Sequence, residues 1–195
     1  HDLSDIKRID GEALRSYAQI AGQDSDTIEV KKDTCYNCPI TCKRVTTVKN
    51  SSGVVIDKGE GPEFETVALL GANLSIYDLP LIARVNYLAN RYGVDTISLG
   101  STIASFVELY TSITDSKENL EEGEKLFQRD LGNFVEKYGE PRFGNKKYLI
   151  DLVKLIGKGE GIGKYLAMGS YRFCTRYGHP ELSMTVKKQE RPAYD

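Results

Sequence analysis

A chain of 195 residues, 40% hydrophobic and 28% charged, is long enough to bury one large core or two small ones. Its 26 basic and 28 acidic residues leave a net charge of −2, so the positive footprint of a nucleic-acid binder is missing. No apolar run reaches the roughly 18 residues of a membrane span, no signal peptide opens the chain, and the cysteine usage is not that of a secreted disulfide framework; a cytoplasmic protein with no nucleic-acid and no membrane partner is expected. The chain opens on His1 rather than Met and closes on "RPAYD" without a polar tail, which leaves open a piece cut from something longer.

In chain order, "GEALRSYAQIAG" reads as a short helix with Leu14, Tyr17, Ile20 and Ala21 on its apolar side. The loop "TCYNCPITCKR" follows, then two β-branched runs, "RVTTV" and "VVID", joined by "KNSSG", which predict a hairpin. From Pro62 the pattern is helical, with Pro62 in the first turn and Glu63 and Glu65 at the positive end of the dipole. Asp78 is placed to cap "LPLIARVNYLANRY", and Gly93 to end it. "DTISLGSTIASFVELY" predicts a buried helix. The charged segment from Ser116 is amphipathic, with Leu126, Phe127, Leu131, Phe134 and Val135 on one side. "NKKYLIDLVKLIGKG" and "GIGKYLAMGSYRFCTRYG" predict two further helices, each ended by glycine. The expected fold is mainly α, a multi-helix domain with a small β-hairpin next to the cysteine loop.

Three of the four cysteines, Cys35, Cys38 and Cys42, fall within eight residues in the spacing C-x2-C-x3-C. Thiolates so spaced can converge on one metal centre from a single stretch of chain, and Pro39 stiffens the turn. Structural zinc usually takes two separated pairs, whereas an iron–sulfur cubane can be served at three corners locally and at the fourth from afar. Zinc and a disulfide are the alternatives. Cys174 lies in an amphipathic helix, where a free cysteine is more often core than ligand, so the fourth ligand is expected outside this chain. Glu63 and Glu65, at the entry to an apolar helix, can simply complement its dipole, or one of them can act in proton transfer. "NRYGVDTISLG" reads as a helix C-cap at Gly93 followed by Asp95 capping the next helix; such a helix start can also grip a polar cofactor.

Taken in this order, "CYNCPITC", "GPEFET", "GVDTIS" and the tail "VKKQERPAYD" resemble the aldehyde ferredoxin oxidoreductase family, the tungsten- or molybdenum-pterin enzymes. The resemblance covers nearly the whole chain and is weakest from Ser116 to Gly144. It implies that residues 1–195 are the middle, first helical domain of a longer enzyme, without the N-terminal pterin-cradling domain and the last helical domain. It also implies oxidation of an aldehyde to a carboxylic acid at a bis-pterin centre (tungstopterin or molybdopterin), with electrons passing through a [4Fe-4S] cluster to ferredoxin. Carried over by position, Cys35, Cys38 and Cys42 match the cluster ligands, and Glu65 matches the active-site glutamate. Asn90, Gly93, Val94 and Asp95 match a pterin-binding stretch, with Asn90 in place of the family's aspartate and Val94 in place of leucine. Thr34, Tyr36 and Asn37 are the polar neighbours expected around the cluster. Neither His1 nor His179 matches the family's active-site histidine, and Arg84 stands where some members carry a glutamate ligand of a bridging iron, so no such iron is expected. Implied partners are ferredoxin, a small aldehyde and the remaining domains of the enzyme, with room for a homo-oligomer. The alternative of another class is a non-catalytic helical module that binds zinc or an iron–sulfur cluster and serves as scaffold or partner surface.

Overall fold

The computed structural model describes residues 3–20, 26–115 and 119–194. Helices α1 (Leu3–Ile6) and α2 (Gly11–Ile20) come first, and the Asp10 carboxylate caps α2 by accepting from Glu12 N and Ala13 N at 2.9 and 2.7 Å. Leu14 is buried. Of the other apolar positions expected on α2, the Tyr17 and Ile20 side chains and all of Ala21 lie outside the described residues, as do His1 and Ser116.

Strands β1 (Thr27–Lys32), β2 (Arg44–Lys49) and β3 (Val55–Glu60) form an antiparallel sheet in the order β1-β2-β3. The expected hairpin is its β2-β3 half. Asn50 shapes the connection: its side-chain oxygen accepts from Ser52 N and Val54 N, and Gly53 takes a left-handed φ of 76°. β1 is an addition to the sequence reading, pairing Ile28 with Val48 across the ladder. Alternation puts Ile28, Thr46 and Val48 on the buried face. There Tyr87 packs against the sheet, its hydroxyl 2.6 Å from Thr46 Oγ1 and donating to Thr46 O at 3.0 Å. Gly59 makes this contact possible, since a Cβ there would stand 2.6 Å from the Tyr87 ring.

The helical body then runs α3 (Phe64–Leu70), a 3-10 turn at Ala72–Leu74, α4 (Leu79–Tyr92), α5 (Thr96–Asp115), α6 (Glu122–Leu131), α7 (Phe134–Tyr138), α8 (Leu149–Lys158), α9 (Gly163–Leu166) and α10 (Ser170–Arg176). Pro62 lies outside the first turn of α3, because Glu63 holds the N-cap position in extended backbone. Asp78 caps α4 through Leu81 N at 3.0 Å, and Asp95 caps α5 through Ser98 N at 2.7 Å. The amphipathic segment and the last predicted helix are each split in two, at Gly132 (φ 56°) and Gly169 (φ 85°), where left-handed backbone interrupts the helical run. A 3-10 turn at Pro180–Leu182 leads to a two-stranded ribbon, β4 (Thr185–Val186) with β5 (Gln189–Glu190).

α5 is the axis of the core, with buried residues around most of its circumference, among them Leu99, Ile103, Phe106, Val107 and Leu109. Phe106 meets Phe127, Phe134 and Phe173 edge-on or tilted at 5.8–6.1 Å, which ties α6, α7 and α10 to that axis. Each such ring contributes about 1.5–3 kcal/mol by leaving water. Among the described residues no single helix is long and apolar enough to cross a membrane.

Candidate functional site

The cysteine loop connects β1 to β2. Its base is closed by Asp33 N donating to Lys43 O at 2.9 Å, and its first turn by Cys38 N donating to Cys35 O at 3.0 Å. Thr34 holds that turn from inside, its hydroxyl reaching Cys38 O at 2.7 Å and Cys35 O at 3.2 Å. Asn37 and Thr41 sit at left-handed φ of 55° and 52°, conformations asparagine tolerates better than threonine. Tyr36 is 96% exposed. Cys35 and Cys42 are exposed, Cys38 is half-buried, and none is in a disulfide. Lys43 borders the loop in an ion pair with Glu60 at 3.0 Å; that carboxylate, and more weakly Cys35 and Asp33, hold its ammonium above the ordinary lysine value. Among the described residues no three His, Cys, Asp or Glu side chains are gathered as a metal site. The loop therefore brings the thiols onto one pinned stretch without drawing them to one point. As a donor set, three unengaged thiols fit an iron–sulfur cluster. Cys174, by contrast, is fully buried in α10, and burial pushes its thiol up to about 11.

Glu65 lies in the first turn of α3. Its Oε2 accepts from Ala193 N at 2.7 Å, while Oε1 is buried with no hydrogen-bond partner. Glu63 is exposed and makes no side-chain cap bond. Next to Glu65, the Thr66 hydroxyl meets the Thr96 hydroxyl at 2.8 Å, so the first turns of α3 and α5 are clasped together. One turn further along α5, Gly100 faces the backbone of Leu69 so closely that a Cβ there would stand 2.7 Å from it. Two stretches far apart in sequence, "GPEFET" and "GVDTIS", are thus joined at their helix starts.

At the end of α4, Gly93 N donates to Asn90 O at 3.3 Å and Val94 N to Ala89 O at 2.9 Å, with Gly93 left-handed at φ 68°. This is the Schellman closure. It turns Gly93, Val94 and Asp95 into one wall of a cleft of about 390 Å³, whose other walls include Gly157, Met168 and Arg172. A Cβ on Gly93 would meet nothing within 4 Å, so the backbone there is open to a ligand. The Asn90 side chain is exposed and does not line the cleft. Arg84, on α4, pairs with Asp26 at 3.9 Å.

Glu190, in the tail "VKKQERPAYD", also lines the cleft, a role that no local sequence signal marks. Its Oε1 accepts from Ser170 N and Ser170 Oγ at 2.7 and 2.8 Å, and its Oε2 from Ser98 Oγ at 2.9 Å. Burial pushes this carboxyl up, but the bonds from Ser170 and Ser98 outweigh it and hold the group below the usual carboxylate range.

Residues 3–195 match the family model described as aldehyde ferredoxin oxidoreductase, domains 2 and 3. The tungsten-containing aldehyde ferredoxin oxidoreductases of Pyrococcus furiosus and Thermococcus kodakarensis are each 42% identical, over 166 and 167 residues and 85% of this chain. A WOR-like subunit of an aliphatic sulfonate oxidoreductase from P. furiosus is 32% identical over 139 residues, 70% of this chain and 19% of that protein. The chain spans about a quarter of the length of the aldehyde ferredoxin oxidoreductases it matches, 24% in each case. With the chain matched to that family model from residue 3 to residue 195, it belongs to the aldehyde ferredoxin oxidoreductase family.

Proposed function

We propose that this chain is the middle helical portion of a cytoplasmic tungsten- or molybdenum-pterin oxidoreductase that converts a small aldehyde to the carboxylic acid, with ferredoxin as electron acceptor. Cys35, Cys38 and Cys42 hold three corners of a [4Fe-4S] cluster, and the fourth ligand comes from outside the chain. Gly93, Val94 and Asp95 hold the pterin by open backbone and carboxylate, with Asn90 at the preceding helix end. When bound, these groups supply the oxidation–reduction chemistry and the exit of single electrons. The chain's own contribution is proton handling and position. Glu65 Oε2 is fixed by the Ala193 N–H, so Oε1 is the oxygen left to accept a proton from water or substrate. The Thr66–Thr96 clasp keeps that carboxylate at a fixed place relative to the pterin stretch.

The observation that carries this reading is the trio of free thiols on one pinned loop, in a chain matched along its length to this family. Its test is metal analysis of the full-length gene product, purified without oxygen. About four irons and four sulfides per chain, with a broad charge-transfer absorption, are expected. One zinc per chain and no sulfide would overturn the assignment and favour a scaffold module.

A further inference from the structure

The tail that ends the chain touches both halves of the candidate site. Glu190 anchors it between Ser98 at the start of α5 and Ser170 at the start of α10, and three residues later the Ala193 N–H reaches Glu65. Three residues of chain extend at most about 10 Å, and Pro192 stiffens the span, so the anchor decides where the Ala193 amide can stand. The anchor itself is built into the fold. Gly169, at φ 85°, leaves room for the carboxylate, since a Cβ there would lie 3.1 Å from Glu190 Oε1. The ribbon leading into it turns at Lys187 and Lys188, both left-handed at φ 52° and 69° without being glycine. Such backbone is unfavourable for residues with a Cβ and persists only where the surroundings hold it. Lys188 is also held over the Tyr171 ring at 5.3 Å.

We propose that Glu190 is a positioning residue for Glu65: its carboxylate locks the tail so that the Ala193 N–H holds Glu65 Oε2 and leaves Oε1 as the proton-accepting oxygen. This rests on the reading of Glu65 as the proton acceptor. The Glu190 carboxylate bonds Ser98 and Ser170 rather than Glu65, so it acts through the backbone of the tail.

The test uses the full-length enzyme, with Glu190→Ala, Glu65→Gln and the double variant, reading kcat, KM, metal content and hydrogen exchange of the tail peptide around Ala193. Glu190→Ala should lower kcat by about 10- to 100-fold, the scale of a misplacement near 1 Å. KM should stay within about twofold, metal content should be retained, and tail exchange should be faster. Glu190→Gln should recover most of the rate, because one amide oxygen can still accept both Ser170 bonds. In the Glu65→Gln background, adding Glu190→Ala should change kcat by less than about twofold, the signature of two residues acting as a unit. Losses that multiply in the double variant, or unchanged tail exchange in Glu190→Ala, would overturn the proposal while leaving Glu65 in its role. Wild-type kcat in Glu65→Gln alone would instead remove the reading beneath it. Should Glu190→Ala fail to accumulate, Ser170→Ala removes one of the three donors and carries the same comparison with a smaller loss.

Discussion

Glu63 and Glu65 stand two residues apart at one helix start, and nothing in their local sequence separates them. Both suit the dipole. The structure separates them through a partner 128 positions away: Ala193 holds one oxygen of Glu65 and the other is buried without a donor, whereas Glu63 faces solvent. In the intact enzyme Glu65→Gln should therefore lower kcat by about 10²–10⁴-fold with cofactor and metal content unchanged, because the amide keeps size and reach but accepts no proton. Glu63→Gln should cost only the dipole contribution, about 0.3–1 kcal/mol of stability, with kcat near wild type. Steady-state kinetics beside metal analysis reads both, and equal small losses would leave Glu65 a structural residue. The distinction was illegible in sequence because the deciding contact is a long-range backbone amide, which no periodicity records. Glu190 escaped for the same reason, its three donors being brought to it by α5 and α10.

The elements that sequence located well are those whose signals are local: the Asp78 and Asp95 caps, the Gly93 closure and the buried run of α5. β1 was missed because most of its residues are exposed or half-buried, so "TIEVKK" carries little apolar pattern and gains its place by pairing with β2. The splits at Gly132 and Gly169 were missed because a glycine inside an amphipathic run reads equally as a tolerated residue or a stop. Helix contacts decide two stability predictions. Gly100→Ala should destabilise the fold by about 1–3 kcal/mol, since its methyl meets the Leu69 backbone and α3 must move away from α5. Denaturant unfolding should show a lower midpoint at an unchanged slope, and a midpoint at the wild-type value would mean that the crossing is slack. Beside its aromatic packing, the α6–α10 contact carries a charged pair: Asp130 Oδ2 accepts from Arg176 at 2.8 Å and from Tyr177, just past α10, at 3.2 Å. Burial pushes the Asp130 carboxyl up, but these bonds and the Arg176 and Arg129 charges prevail and hold it below its ordinary value. A lowered folded-state value means the contribution is complete above the ordinary aspartate value of about 3.9 and is lost as pH falls through the folded value. Urea unfolding across the acid range should show that loss, and Asp130→Asn should flatten it.

At the scale of the whole molecule, the helical body buries its core while two of the three clustered thiols stay exposed. The cysteine loop carries Tyr36 and Ile40 exposed, and among the described residues no fourth His, Cys, Asp or Glu is gathered with its three thiols. Cys174 is committed to the core, among Phe173, Tyr177 and the α5 residues, with its thiol held in the protonated form by burial. A cubane assembled on residues 1–195 alone would thus have three thiolate corners and one iron open to solvent and oxygen. Anaerobic reconstitution of this chain should give a cluster that bleaches rapidly in air, or none that survives desalting. Cys174→Ser should leave the iron and sulfide bound before exposure unchanged, although it trades a buried thiol for a hydroxyl and lowers stability by about 1–3 kcal/mol unless that hydroxyl finds an acceptor. Cys35→Ser, Cys38→Ser and Cys42→Ser should each lower bound iron and sulfide sharply, since a three-cornered site has no ligand to spare. On the proposed assignment, the full-length protein should hold a more air-stable cluster than the isolated chain, and the same three substitutions should weaken it. An air-stable cluster on the isolated chain that is lost with Cys174→Ser would place the fourth ligand in the core of this chain and refute that assignment.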